Sequence, residues 1–135
     1  LGEIEKAYVA GLVDGEGSVT LSRKHRNETP SPEVSIANNN LQLLDWVKNV
    51  VGAGKITTKS KNKAHHAQSY TWSIRDNKAI CFLNEIKDYL IVKKQQSWLI
   101  TRKYKMYTPR NGKYTPEMLR RKLELVAQIR KLNQR

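Results

Sequence analysis

The sequence predicts an α+β fold with elements in the order α-β-β-α-β-β-α and a helical extension at the C-terminus. Three observations predict it. Apolar residues switch between helical and two-residue spacing along the chain, clusters of Gly, Pro and Asn separate the segments, and 135 residues suit one core. The sequence contains no internal repeat.

Residues 3 to 14 read as a helix, because Ile4, Ala7, Tyr8, Gly11 and Leu12 recur at three- and four-residue spacing and Gly15-Glu16-Gly17 stops it. From Ser18 to Lys24 the period becomes two: Val19 and Leu21 face one way, and Ser18, Thr20, Ser22 and Lys24 face the other. A loop with Asn27, Pro30 and Pro32 leads to a short strand through Val34 and Ile36. Asn38-Asn39-Asn40 then forms a turn and N-cap for a helix from Leu41 to Val51, which carries Leu43, Leu44, Val47, Val50 and Val51.

Gly52-Ala53-Gly54 ends that helix, and strands Lys55 to Lys59 and Ser69 to Arg75 follow, joined by the Lys61 to Ala67 loop. In the second of them Tyr70, Trp72 and Ile74 alternate with Ser69, Thr71, Ser73 and Arg75. A third helix covers Lys78 to Leu90, with Ile80, Leu83, Ile86 and Leu90 inward, and a fourth starts near Lys93 and runs through Trp98, Leu99 and Ile100. Residues 108 to 115 read as a linker. Thr115-Pro116-Glu117 opens a last helix with Leu119, Leu123, Val126 and Ile129 as its stripe. Residues 1–107 are thus the main domain, and 108–135 are a linker and basic helix packed on or beside it.

The 25 Lys and Arg against 12 Asp and Glu leave a formal charge of +13. Such an excess repels itself unless a polyanion neutralises it, which points to nucleic acid. The cations are spread over strands, loops and helices and are not gathered opposite one apolar helix face, so a membrane surface is not the expected partner. No apolar run approaches the roughly 20 residues of a membrane span. Cys81 is the single cysteine and lies in an apolar stretch, so it reads as core, in a reducing compartment. Glu3, Glu5 and the immediate helix fit neither a secretory signal nor a transit peptide. Trp46, Trp72 and Trp98 sit on apolar faces and read as core. His65-His66 lacks further Cys or His partners for a metal site and reads as part of a mobile basic loop that touches phosphate.

The segment Val9-Ala10-Gly11-Leu12-Val13-Asp14-Gly15-Glu16-Gly17 carries the chemistry. Gly11 and Gly15, with Ala7 and Ala10 nearby, strip one face of the helix of bulk, which lets a second helix approach closely. Two such helices bring their acidic ends side by side. Helix C-termini already carry partial negative charge, so the carboxylates repel unless a cation enters. A divalent metal held by carboxylate and carbonyl oxygens meets that need and suits phosphodiester hydrolysis.

The segment VAGLVDGEG resembles the motif of the LAGLIDADG homing endonucleases, matching it at Ala10, Gly11, Leu12, Asp14 and Gly17. The predicted element order over residues 4 to 100 is also that family's αββαββα domain. The resemblance implies that Glu16, at the eighth motif position, is the catalytic metal-binding acid, with the Gly15 carbonyl beside it. Mg²⁺, or Mn²⁺, is the ion it implies. Asp14 is expected at the helix end and interface, together with Ala7, Ala10, Gly11 and Gly15. One motif per chain implies a homodimer. Lys93, with Lys94 as fallback, fits the family's active-site lysine, and Asn38 stands where a polar residue, often Gln, orders the active-site water.

A saddle-shaped antiparallel sheet can lie in the major groove, where base edges distinguish all four base pairs. The expected DNA-reading residues are Ser18, Thr20, Ser22, Lys24 and Arg26 on the first strand, and Ser35 on the second. Lys55, Thr57 and Lys59 are expected on the third strand, and Ser69, Thr71, Ser73 and Arg75 on the fourth. Arg120, Arg121, Lys122, Arg130 and Lys131 of the last helix are expected to grip backbone phosphates. The reading is a metal-dependent, site-specific double-strand DNA endonuclease for intron homing. It would cut a long pseudo-palindromic target in the cytoplasm or nucleoid of a prokaryote or in an organelle matrix. Its rivals are an intron RNA maturase and a dimeric DNA-binding regulator that no longer cleaves.

Overall fold

The structure, a computed structural model, describes residues 1–59 and 68–134. The His65-His66 pair and its loop lie outside the described residues. The elements are α1 (Glu3–Glu16), β1 (Gly17–Ser22), β2 (Ser31–Asn38), α2 (Leu41–Val51), β3 (Lys55–Lys59), β4 (Ser69–Arg75), α3 (Asp76–Ile86), α4 (Lys94–Lys103) and α5 (Pro116–Asn133). Single 3-10 turns, Lys87–Tyr89 and Lys105–Tyr107, flank α4. The αββαββα order holds, with α4 and α5 beyond the third helix position.

The strands form one antiparallel sheet in the order β1-β2-β4-β3. Its two faces follow from alternation. Val19, Leu21, Val34, Ile36, Trp72 and Ile74 are buried against α1, α2 and α3, and the intervening polar residues turn away. Trp72 anchors this layer: its ring meets Phe82 edge to face at 5.4 Å, and its Nε1 donates to the Ala53 carbonyl at 3.1 Å. Truncating such a side chain to alanine costs about 3–5 kcal/mol. Gly54 is required beside it, since its φ is +103° and a Cβ there would run into the indole.

Local signals explain most boundaries. The Asn40 side chain accepts from Leu43 N at 3.1 Å to start α2, and Thr115 accepts from Met118 N at 3.1 Å to start α5. Expectation and structure part in several places. α1 continues through Gly15 to Glu16, because the Gly17 N–H still reaches the Val13 carbonyl. β1 ends at Ser22, so Lys24 and Arg26 leave the strand for the connecting loop. β2 starts early and includes Pro32, which pairs with Leu21 but lies one residue beyond the β4 ladder that begins at Glu33. Its missing N–H therefore costs that ladder nothing. α3 stops at Ile86, and the 3-10 turn that follows still delivers Leu90 to the core.

Cys81 is exposed, not core: Ala79, Ile80, Phe82, Leu83 and Ile86 take the inner face of α3, which turns position 81 outward. Trp46 and Trp98 are half-buried, the latter with Lys87 Nζ and Arg102 Cζ at 4.2 and 4.4 Å from its ring. α5 joins the common core through Leu125, Val126 and Ile129, with Leu119 and Leu123 on its outer side. No helix among the described residues is long and apolar enough to cross a membrane.

Candidate active site and nucleic-acid interface

Glu16 ends α1 and is exposed. The turn into β1 directly after it depends on Gly17, where a Cβ would stand 2.6 Å from the Ser35 carbonyl and 2.9 Å from Val13 Cα. Helix and strand can meet this closely only without a side chain. The turn sets Glu16 beside the end of β2, where Asn38 Nδ2 donates to Glu16 Oε2 at 2.6 Å. Asn38 Oδ1 in turn accepts from the Asn40 amide at 2.8 Å. The amide thus has its oxygen committed to the backbone and its nitrogen directed to the acid.

Asp14 binds within its own chain. Its carboxylate accepts from the amides of Ile91, Val92 and Lys93 at 2.7, 3.2 and 3.0 Å, and the Lys93 ammonium donates to the Asp14 carbonyl at 2.7 Å. An anion at these amides suits the start of α4, where the helix dipole is positive. Lys93 is drawn to the motif in this way. Asp14, Gly15, Glu16 and Lys93 line one cleft of about 640 Å³. Lys94 is exposed and does not line it.

Ala7, Gly11 and Gly15 are exposed along α1, and a Cβ on either glycine would meet nothing within 4 Å. Glycine at 11 and 15 is therefore not demanded by packing within the chain. Ile4 is 86% exposed, and Tyr8 is also exposed on this helix. Ala10 departs from the expected interface. It is fully buried in the chain's own core with Val9 and Val13, because it points inward on the opposite face of the helix.

On the polar side of the sheet, strand register aligns Ser18, Ser35, Ser73 and Lys55 in one row across all four strands. Thr57 stands opposite Thr71, and Lys59 opposite Ser69. Ser18 and Ser35 share a hydrogen bond at 2.8 Å. Arg75 is not simply displayed: its Nη1 donates to Glu33 Oε2 at 2.6 Å, and its Nη2 to the Ser22 carbonyl at 3.0 Å and Ser31 Oγ at 3.3 Å. It laces β1, β2 and β4 together with most of its donors engaged. Sequence reasoning missed Glu33, although its parity with Ser35 on β2 was available. Lys24, Lys55, Thr57, Ser73 and Arg75 line a second open cleft of about 940 Å³.

The sequence model of the LAGLIDADG endonucleases matches residues 9–115, most of the chain. The chain belongs to the LAGLIDADG endonuclease family. Its structure is similar to that of the homing endonuclease I-CvuI in complex with its target in the presence of calcium, with TM-score 0.79 and 17% identity over 98% of this chain and 83% of that one. It is also similar to the archaeal intron-encoded homing endonuclease I-Vdi141I complexed with DNA, at TM-score 0.76 and 26% identity, over 98% of this chain and 86% of that one. I-SmaMI, bound to an uncleaved DNA target with calcium ions, gives TM-score 0.70 and 24% identity over 93% of this chain but only 45% of its own.

In this LAGLIDADG chain the basic residues of α5 are partly committed elsewhere. Lys122 is 1% exposed and donates to Thr29 Oγ1 at 2.8 Å and the Tyr114 hydroxyl at 2.6 Å, with the Tyr104 hydroxyl at 3.5 Å. It cannot reach a phosphate from there. Burial pushes the Tyr114 phenol up, but hydrogen bonds with Lys122 and Thr29 and the charge of Lys122 outweigh it, leaving the group below its usual range. Arg120 pairs with Glu117 and Glu124, and Arg121 with Glu117. Arg130 and Lys131 remain exposed at the helix end.

Proposed function

We propose that this chain is a site-specific double-strand DNA endonuclease that works as a homodimer with divalent metal. The observation that carries the proposal is the cleft that holds Glu16 and Lys93 together at the end of a polar, basic sheet. Two similar structures, I-CvuI with its target and I-Vdi141I with DNA, support duplex DNA as the partner. The chain corresponds to 45% of I-SmaMI, which fits two copies making one nuclease. Exposed Ala7, Gly11 and Gly15 offer the surface for that pairing.

The donor set suits a hard cation. Glu16 supplies a carboxylate and Gly15 a helix-end carbonyl, both oxygen ligands of the kind Mg²⁺ and Mn²⁺ take. Among the described residues one chain gathers no group of three His, Cys, Asp or Glu side chains, so a second Glu16 and DNA phosphate oxygens would complete the shell. When bound, such an ion stabilises the attacking and leaving oxygens of phosphodiester hydrolysis. The protein's own part is local. Asn38 holds the Glu16 carboxylate in orientation, and Lys93 brings positive charge to the cleft where the phosphate becomes more negative. The polar face of the sheet reads base edges, with Ser18, Thr20, Lys55 and Thr57 among the readers. A prokaryotic cytoplasm or an organelle matrix is the compartment this reading carries with it.

The test is a selection for cleaved sites from a random duplex library with Mg²⁺, using wild type and Glu16→Gln. A symmetric target cut only by wild type supports the reading. Intact DNA throughout rejects it, and splicing stimulated by Glu16→Gln would favour an RNA maturase.

A further inference from the structure

We propose that Asn133, the last residue of α5, is a positioning residue of the catalytic cleft, so that the C-terminal helix completes the active site. The inference rests on the proposed roles of Glu16 and Lys93. The Asn133 amide is used at both ends. Its Nδ2 donates to the Val19 carbonyl at 3.0 Å, and its Oδ1 accepts from Gln96 Nε2 at 3.0 Å.

These partners flank the catalytic pair. Val19 lies three residues after Glu16 on β1, and Gln96 lies three residues after Lys93, one turn into α4. Gln96 is only 5% exposed, so its amide needs a protein partner, and Asn133 is that partner. The bridge therefore ties the strand that leaves the acid to the helix that begins at the lysine. Its far end is fixed by packing, since Ile129, one turn back along α5, is fully buried. Asn133 and Gln134 also line the same cleft as Glu16 and Lys93.

Lys93 is thus braced from two sides. Asp14 holds its backbone amide and ammonium, and Gln96 with Asn133 holds the next turn of its helix. Asn133 itself is exposed, but losing it leaves the nearly buried Gln96 amide without its acceptor and so weakens the packing at the start of α4. Its effect falls on geometry, to which reaction rates are steeply sensitive.

Asn133→Leu removes both bonds, and Gln96→Met removes the α4 side alone. The measurements are single-turnover cleavage of the selected duplex, DNA affinity, thermal unfolding and amide hydrogen exchange. Asn133→Leu is expected to lower the cleavage rate about tenfold, as loss of a supporting partner does at other sites. Affinity should stay near wild type, melting should fall modestly because the buried Gln96 amide loses its acceptor, and exchange should quicken over residues 91–97. The double variant should be no slower than the worse single one. A wild-type rate, or unchanged exchange at 91–97, overturns the proposal. If wild type itself leaves DNA intact, the nuclease reading fails separately, and the exchange comparison still decides whether Asn133 holds the start of α4.

Discussion

Lys93 Nζ lies 2.7 Å from the main-chain oxygen of Asp14, two residues before Glu16. A lysine from the start of α4 is thereby bound to the end of α1. Glu16 and Lys93 thus share one support, even though 77 positions separate Asp14 from Ile91, the first amide it holds.

That support separates the two adjacent lysines. Lys93→Met should reduce single-turnover cleavage about a hundredfold, the scale of a lost charge-stabilising or proton-transfer group. Lys94→Met should leave the rate close to wild type, because Lys94 does not line the cleft. Equal losses in the two variants would contradict the assignment.

Asp14→Asn keeps the shape but removes the charge that faces three amides. Charge-assisted bonds of this kind contribute about 1.5–3 kcal/mol. The denaturant midpoint should therefore fall with the slope unchanged. A variant as stable as wild type would mean that the three amides find other acceptors.

Gly11→Leu adds bulk where the chain itself leaves open space. The single subunit should fold with its helix content intact, while sedimentation changes from the proposed dimer to monomer and the proposed DNA cleavage is lost. Retention of the dimer would place the association surface elsewhere.

Acid should loosen the first turn of α5. Hydrogen bonds from Arg120 and Arg121 hold the Glu117 carboxyl down at about 2, against its ordinary value of 4.5. A lowered folded value stabilises the helix above 4.5, and that contribution disappears as the pH falls toward 2. Circular dichroism should show this helical loss over that window in wild type and not in Glu117→Gln. Since the carboxyl is exposed, salt should shrink the effect.

β3, β4 and α2 were readable because their apolar positions occupy one face, and turn residues mark their ends. Leu41–Val51, Lys55–Lys59 and Ser69–Arg75 fall where alternation and Asn40 place them. α1 was harder. Ile4, Ala7, Tyr8 and Gly11 define a helix by spacing, but Val9, Ala10 and Val13 form a second apolar face, and that face is the one buried. Periodicity reports a helix without saying which face meets its own core.

Lys122 shows a different limit. Its partners Thr29, Tyr104 and Tyr114 come from distant loops, so nothing in the local sequence distinguishes it from the exposed arginines beside it. Asn133 and Gln96 were invisible for the same reason. Glu16, Asp14 and Lys93 were singled out through the motif and its family resemblance, while the bond from Lys93 to Asp14 emerged only in three dimensions.

The serine row across the sheet bears on any attempt to retarget the protein. Ser18 and Ser35 already satisfy each other, so a change at either alters the hydrogen bonding left to its neighbour. Arg75 and Glu33 are linked in the same way at the next rung. If this face reads DNA as proposed, the unit of specificity is a coupled pair of side chains, and libraries that vary residues singly will sample disrupted neighbours more often than new preferences.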